Sequence, residues 1–307
     1  MEDYLVAYIQ RPNDKEELFG ALDYYHIKKL TILLKQWDRI DATTVGGWMK
    51  AYPMIDYNIQ AINNLTPSSF WNVLKTLPDY THIAMPLGCH RAFYKNVLKL
   101  RKQGKIIINI SDGIVDCYGL TGWCFGFYAR SLKKALQLSI VYFEHLRAKA
   151  DVCFYQLYPL QSCHAKKTLP IPEISSSSIP DNIKEQLHAE KVDTLLVPGW
   201  GETIESLLSL YPDINSYCAT SKERFFIING KKIDIDNPIT AELVITSNLV
   251  KKVIGTCSTA VVYAKLHYPQ LDCRVVTNGE LNKIFTPFYE FYYRKTGKRL
   301  GIVFIRK

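Results

Sequence analysis

Residues 252–264 combine a glycine turn with small hydroxyl side chains, which together can bind an anion. The segment is expected to be a buried strand that ends at Gly255 and continues into an apolar helix, with Thr256, Ser258 and Thr259 between them. Such a junction presents backbone N–H groups and the positive end of the helix dipole. Ser258 and Thr259 stand at the predicted N-cap, so a plain helix cap and a phosphate site are both open interpretations.

Asp112 is the candidate for acid–base chemistry. With Gly113 it follows the strongly apolar segment 105–110, so its carboxylate is expected to be partly desolvated and suited to act as a general base. An Asp-Gly turn without function explains the pair equally well. Asp116, four residues on, either shares the role of base or caps the next segment.

The loop at residues 198–202 (PGWGE) also follows a predicted strand. Gly199 would let the backbone approach a ligand, and Trp200 offers an aromatic face on which a base could stack. The loop has the pattern of neither a Walker loop nor a dinucleotide-binding fingerprint. An ordinary strand-to-helix connection is the alternative.

The sequence has no convincing metal-site spacing. His82, Cys89 and His90 lie close together, but no further ligand follows at a zinc-binding interval. Asp234 and Asp236 form a DxD pair, which can hold a nucleotide-bound divalent cation, although a solvated acidic turn is the alternative. We therefore expect a protein that works without a metal.

The composition indicates a globular protein of about two domains. The chain has 307 residues, of which 48% are hydrophobic and 22% charged, and single cores usually stop growing at about 250–300 residues. The eight cysteines form no CxxC pair, as expected for reduced thiols. With no apolar run of membrane-spanning length and no basic signal-peptide region at its acidic N-terminus, the chain is predicted to be cytoplasmic.

The net charge of +9 suits an anionic partner. Basic residues concentrate at 99–105 and at 294–307, the second group directly after the aromatic segment 285–293. An aromatic and basic segment can rest on a membrane surface or pack as a helix on the body of the protein. Nucleic acid is disfavoured as a partner, because the sequence has no helix-turn-helix, RRM or zinc-finger signature.

Strands that alternate with helices predict parallel βαβ units in both halves of the chain. The predicted strands are residues 5–9, 30–34, 82–85, 105–110, 151–155, 194–197, 224–228, 253–254 and 273–277. The predicted helices are residues 16–25, 57–65, 68–77, 91–103, 130–150, 203–210, 238–249 with Asn237 as its cap, and 260–267.

The Pro- and Ser-rich segment 166–181 is the best linker candidate in the chain. We predict two Rossmann-like α/β domains that face a central cleft. Ligands of open parallel sheets bind beyond the carboxyl ends of the strands, so the loops at 111–113, 198–201 and 255–259 are expected to line that cleft. The predicted parts are residues 1–165 (acceptor side), 166–185 (linker), 186–280 (nucleotide-sugar side) and 281–307 (aromatic and basic segment).

The order of these features carries a family resemblance. The Asp112-Gly113 element, the linker, segment 237–243 (NPITAEL) and segment 254–259 (IGTCST) follow one another along the chain. This layout resembles bacterial sialyltransferases of the GT-B type, in particular the polysialyltransferase and lipooligosaccharide sialyltransferase group. Those families carry an acidic-acidic-Gly motif with the general base, a His-Pro motif near the donor phosphate, and a paired Ser/Thr motif that binds this phosphate.

The resemblance implies roles for individual residues. Asp112, next to Gly113, would be the general base, and Ser258 and Thr259 would bind the donor phosphate. Glu242 would match a Glu that contacts the nucleotide, although its spacing from the phosphate motif is longer here.

The chain also departs from the family pattern. Ser111 occupies the first acidic position, and the sequence contains no His-Pro pair. Either another group serves the phosphate, with Lys222 and Arg224 as candidates, or the donor sugar differs.

The function implied by the resemblance is inverting, metal-independent transfer of sialic acid or a related nonulosonic acid from a CMP-sugar to a cell-surface glycan, as in capsule or lipooligosaccharide biosynthesis. No cofactor is implied besides the donor substrate. The acceptor could be lipid-linked, with the enzyme bound peripherally at the inner membrane surface. Two alternatives stay open: a GT-B transferase that uses a UDP- or GDP-sugar, and a non-catalytic relative that binds nucleotides or glycans.

Overall fold

The computed structural model describes residues 3–35, 40–62, 67–77, 79–87, 91–111, 113–118, 131, 148–171, 179–199, 203–220, 225–235, 239–277 and 289–306. The described residues form a mixed α/β fold with two sheets of seven strands each, in which parallel pairing dominates. The predicted α/β class is thereby confirmed. The chain divides into two compact units, the first ending near residue 172 and the second containing the described residues from 179 onward.

The first unit alternates strands and helices along the chain. Its elements are β1 (Tyr4–Ile9), α1 (Asp14–Tyr25), β2 (Lys29–Lys35), α2 (Ala42–Met49), β3 (Asp56–Ile62), α3 (Pro67–Leu74), β4 (His82–Met85), α4 (Arg91–Lys102), β5 (Ile106–Asn109), a 3-10 helix (Gly113–Cys117), β6 (Ala150–Phe154) and β7 (Ala165–Leu169). The strands pair in parallel in the order β3-β2-β1-β4-β5-β6-β7. The order reverses between β1 and β4, which is the position where open α/β sheets bind ligands.

The core of the first unit explains why its central strands are apolar throughout. Every residue of β1 is buried, as expected for a parallel strand covered on both faces. From α1, Leu18, Ala21 and Leu22 pack into the same core. Gly20 lets this helix approach β6, because a Cβ atom at this position would lie 2.8 Å from the Phe154 ring.

The second unit has a parallel sheet with an antiparallel extension. Its elements are α5 (Asp181–Ala189), β8 (Thr194–Val197), α6 (Ile204–Leu208), β9 (Tyr217–Thr220), β10 (Phe225–Ile228), β11 (Lys231–Asp234), α7 (Ala241–Thr246), β12 (Lys252–Gly255), α8 (Thr259–His267), β13 (Asp272–Thr277), α9 (Tyr289–Leu300) and β14 (Val303–Arg306). The strand order is β11-β10-β9-β8-β12-β13-β14, and among the described strands only the pairs that involve β10 are antiparallel. The order reverses between β8 and β12.

Asn229 and Gly230 form a tight hairpin turn. The two residues connect β10 to β11, with Ile228 opposite Lys231. Their φ angles are 47° and 82°. A two-residue hairpin turn with positive φ at both positions matches the twist of the strands, and Asn-Gly is the preferred sequence for it.

The predicted helix at 57–65 is wrong for the residues that the structure describes. Residues 56–62 are β3, which pairs with β2 over seven positions. The apolar residues Ile59 and Ile62 have a spacing that suits a helix turn, so the local pattern favoured the wrong element. Pairing to a buried neighbouring strand outweighs that preference.

Two other expectations need correction. Residues 166–169, predicted to be part of the linker, belong to β7 and pair with β6. The exposed Lys166 and Lys167 hid this strand, since charged residues are common on the edge of a sheet. The helix predicted at 238–249 is the shorter α7, capped by the Thr240 hydroxyl, which accepts a hydrogen bond from Leu243 N at 3.3 Å.

Some predictions lie outside the described residues. The predicted cap Asn237 does so, as does most of the helix predicted at 130–150, whose last residue, Ala150, begins β6 instead. The domain boundaries themselves stay a prediction.

Candidate functional site

The reversal of strand order in the second unit brings two of the predicted loops together. Val197 and Gly255, at the carboxyl ends of β8 and β12, are Cα partners in the parallel ladder. The loops that follow them therefore start side by side. Helix α8 begins four residues after Gly255, so its N-terminus lies at the same edge of the sheet.

The predicted cap of α8 is confirmed. Ser258 has an extended backbone, and its hydroxyl accepts a hydrogen bond from Ala260 N at 3.3 Å. Ser258 and Thr259 are both half-buried. The first turn of α8 carries no acidic side chain, so the positive end of its dipole is not neutralised from within the helix.

The start of α8 is held in place by the C-terminal helix. The Tyr293 hydroxyl donates a hydrogen bond to Ser258 O at 2.7 Å, and Tyr293 is fully buried. The end of the aromatic segment thus packs on the second unit, whereas Phe291 of the same helix is 60% exposed. Among the described residues, no helix is long and apolar enough to cross a membrane.

Gly255 is needed for the close approach of the two strand ends. A Cβ atom at this position would lie 2.6 Å from Val197 O and 3.1 Å from Val261 Cγ2. The first of these neighbours is backbone of the paired strand, which cannot move without disturbing the ladder.

Thr256 and Gly199 connect the two loops. A Cβ atom on Gly199 would collide with Thr256 Oγ1. The Thr256 hydroxyl therefore occupies the space that a side chain at position 199 would need. Thr256 is 3% exposed. Within the described part of the chain, its Oγ1 is buried without a hydrogen-bond partner. A buried hydroxyl without a hydrogen-bond partner lowers the free energy of unfolding by about 1–3 kcal/mol. A ligand that accepts a hydrogen bond from this hydroxyl would remove that penalty.

Glu242 lies in the first turn of α7, a helix that contacts both β8 and α8. Its side chain is only 4% exposed. A carboxylate in a first helical turn interacts favourably with the helix dipole. The nucleotide contact implied for Glu242 stays a prediction.

Other predicted site residues lie outside the described part of the chain: Asp112, Trp200, Lys222, Arg224 and Asp236. The described residues contain no group of three or more His, Cys, Asp or Glu side chains that could hold a metal ion.

Gly113 is described and begins the 3-10 helix with a φ angle of 73°. This left-handed conformation favours glycine. Its carbonyl oxygen accepts a hydrogen bond from the Tyr155 hydroxyl at 2.7 Å.

The first unit contains a buried acid that was not among the predicted site residues. Glu17 of α1 accepts a hydrogen bond from Ser111 N at 2.6 Å, and its other oxygen is hydrogen-bonded to Ser111 Oγ. Arg11 donates to Ser111 O and is held by Asp14, whose Oδ1 lies 2.9 Å from Arg11 Nε. A signal was present in the sequence: Asp14 and Glu17 fall on the same face of α1 as the apolar Leu18.

Asp116, in the 3-10 helix that begins at Gly113, belongs to a second buried network. Its Oδ2 accepts hydrogen bonds from Asn109 Nδ2 at 3.0 Å and Ser162 Oγ at 3.4 Å, and its Oδ1 lies 3.6 Å from His164 Nε2. Asn109 also accepts from Leu87 N, which follows β4. Asp116 is fully buried and joins the end of β5 to the chain after β6 through these contacts. Its share in the role of base stays a prediction.

Glu17 makes the stability of the protein depend on pH. Burial raises the pKa of Glu17 from 4.5 to about 8, against the opposing effect of its bonds to Ser111. The folded protein therefore keeps a proton that the unfolded chain releases above about pH 4.5. Stability relative to Glu17→Gln is expected to fall between pH 4.5 and about 8, by up to about 1.4 kcal/mol per pH unit.

Urea unfolding of wild type and Glu17→Gln at pH 5, 6 and 7 measures this difference. Other titrating groups, such as His82, whose pKa is lowered by burial, are common to both proteins and cancel. If the free energy of unfolding changes with pH in the same way in both proteins, Glu17 is ionised in the folded state from pH 5 to 7.

The comparisons with known proteins add no family: no protein-family model matches the chain, and no curated protein matches it.

Proposed function

We propose that this protein is a glycosyltransferase that uses a nucleotide-activated sugar, and that its second unit binds the donor phosphate between the ends of β8 and β12. The observation that carries the proposal is the buried Thr256 hydroxyl, which lacks a partner among the described residues. It lies directly before the N-terminus of α8, where the strand order reverses. A phosphate oxygen would give this hydroxyl an acceptor.

The chemistry of the loop favours an anion over a neutral ligand. The first turn of a helix directs N–H groups towards its N-terminus, and Ser258 and Thr259 add hydroxyl groups at the same place. A phosphate group at such a site is stabilised by the helix dipole as well as by hydrogen bonds. The same groups would stabilise the charge that develops on the leaving phosphate during transfer.

The finer parts of the proposal rest on the resemblance to GT-B sialyltransferases. We propose a CMP-sugar as donor, a nonulosonic acid as the transferred sugar, and a glycan as acceptor. Asp112 would take the proton from the acceptor hydroxyl, which attacks the anomeric carbon with inversion while CMP leaves. A UDP- or GDP-sugar as donor is the alternative.

Thermal unfolding with and without nucleotides tests the phosphate site. CMP, CDP, UDP and GDP are added in turn to wild type and to Thr256→Val. We expect CMP or CDP to raise the Tm of wild type, because a ligand that binds only the folded state stabilises it. Thr256→Val should raise the Tm of the free protein, since it removes an unpartnered buried hydroxyl, and should reduce the shift caused by the nucleotide.

Thr246→Val is the matched control. The Thr246 hydroxyl is also buried, but it donates to Leu243 O at 2.8 Å, so its removal should lower the Tm and leave the nucleotide shift unchanged. Stabilisation by UDP or GDP alone would refute the CMP-sugar donor. An unchanged nucleotide shift in Thr256→Val and in the double variant Ser258→Ala/Thr259→Ala would refute the phosphate site.

A further inference from the structure

We propose that Glu17 and Tyr155 are positioning residues for the proposed transfer: they anchor Ser111 and Gly113, the two described neighbours of the predicted base Asp112. The inference rests on the proposed function, since it concerns the base of that reaction. In this proposal neither Glu17 nor Tyr155 contacts the substrate. Each acts through a neighbour of Asp112: Glu17 through Ser111, and Tyr155 through Gly113.

On the N-terminal side, the polar groups of Ser111 are all engaged by residues from the start of the chain. Its backbone N–H and its hydroxyl bond to the two carboxyl oxygens of Glu17. Its carbonyl oxygen accepts from Arg11 Nη2. Ser111 is 3% exposed. Three hydrogen bonds thus fix both the position and the orientation of Ser111, the residue before the predicted base.

On the C-terminal side, the chain is held by residues that follow β6. The Tyr155 hydroxyl donates to Gly113 O at 2.7 Å, and Tyr155 is fully buried. Three residues further on, Asp116 O accepts from Cys163 N at 2.8 Å. The anchors of Ser111 and Gly113 thus come from Arg11 and Glu17 at the start of the chain and from Tyr155 after β6.

The position of Glu17 argues for a role beyond packing. It lies on the buried face of α1 beside Leu18, where an apolar side chain would avoid the cost of burying a carboxyl group. Both hydrogen bonds of its carboxyl group are to Ser111, which directly precedes the predicted base Asp112. General-base catalysis depends on such placement, because an error of about 1 Å can lower the rate by about 100-fold.

Steady-state kinetics of Glu17→Leu and Tyr155→Phe test the inference. Each change removes an anchor without substituting Asp112 or any residue of the phosphate loop. We expect kcat to fall by about 10–100-fold, with KM for the donor and the CMP-induced Tm shift unchanged. Glu17→Gln should keep most of the activity, because its amide can bond to both Ser111 groups.

Tyr4→Phe is the matched control for a merely structural effect. The Tyr4 hydroxyl is buried in the same unit and is hydrogen-bonded to Thr31 Oγ1 at 2.8 Å. Its loss should lower stability as Tyr155→Phe does, with kcat unchanged. Equal kcat values in wild type, Glu17→Leu and Tyr155→Phe would overturn the positioning role and leave the proposed function standing.

Hydrogen exchange gives a readout that does not need activity. Amides of residues 111–118 are expected to exchange faster in Glu17→Leu and Tyr155→Phe than in wild type or Tyr4→Phe. If wild type transfers sugar from no nucleotide donor, the proposed function fails and Asp112 has no reaction to be positioned for. Exchange then still decides whether these residues anchor the loop, and unchanged exchange overturns the inference independently.

Discussion

Asp112→Asn is expected to lower the rate of sugar transfer by about 10²–10⁴-fold, the usual contribution of a general base. The amide keeps the size of the side chain but cannot accept the proton of the acceptor hydroxyl. Nucleotide binding should be unaffected, because the proposed phosphate site is built from residues 255–259 of the second unit. The measurement is the initial rate of CMP release from CMP-sialic acid with a glycan acceptor, together with the Tm shift caused by CMP.

The control for this change is Asp213→Asn, which alters an exposed acid of the second unit and should leave the rate within about twofold. A normal rate in Asp112→Asn would remove this residue from the mechanism. If wild type releases no CMP from CMP-sialic acid but binds the nucleotide, the non-catalytic alternative is favoured. If it uses a UDP- or GDP-sugar instead, the same comparison is made with that donor.

Gly255→Ala is expected to destabilise the second unit by about 1–3 kcal/mol, the range for overpacking a well-packed position. The added methyl group would lie 2.6 Å from Val197 O, so β12 must separate from β8 or the chain must tilt at its end. Either movement displaces Thr256 and the start of α8. The CMP-induced stabilisation should therefore shrink together with the free energy of unfolding.

Gly47→Ala provides the matched control, because nothing lies within 4 Å of a Cβ atom at that position in α2. A helical Gly→Ala change without steric conflict is expected to stabilise by up to about 1 kcal/mol. The two identical substitutions should thus have opposite signs in urea unfolding. Equal stability of Gly255→Ala and wild type would mean that the strand ends can separate at little cost.

The junction of β12 and α8 could be predicted from the sequence because its signals are local. Val253 and Ile254 form an apolar run, Gly255 ends it, and Ser258 is a preferred N-cap residue. Each signal lies within a few residues of the feature that it specifies. The same holds for the Asn229-Gly230 hairpin turn, whose positive φ angles suit those two residue types.

The anchors of the first unit could not be predicted in this way, because they join distant parts of the chain. Glu17 and Ser111 are 94 positions apart, and Gly113 and Tyr155 are 42 apart. No local pattern gives the partner of a buried polar group; only the sheet order does. For the same reason β3 was mistaken for a helix, since its structure depends on pairing with β2.

The edge strands of the two sheets affect how the protein behaves at high concentration. Among the described strands, β3 and β7 are the outermost of the first sheet and β11 and β14 of the second, and an edge strand can recruit a strand from another molecule. Two of these edges carry adjacent exposed lysines, Lys166 and Lys167 on β7 and Lys231 and Lys232 on β11. A strand added there would dehydrate these ammonium groups. The pair Lys166 and Lys167, which made β7 hard to recognise in the sequence, thus also opposes aggregation through this edge.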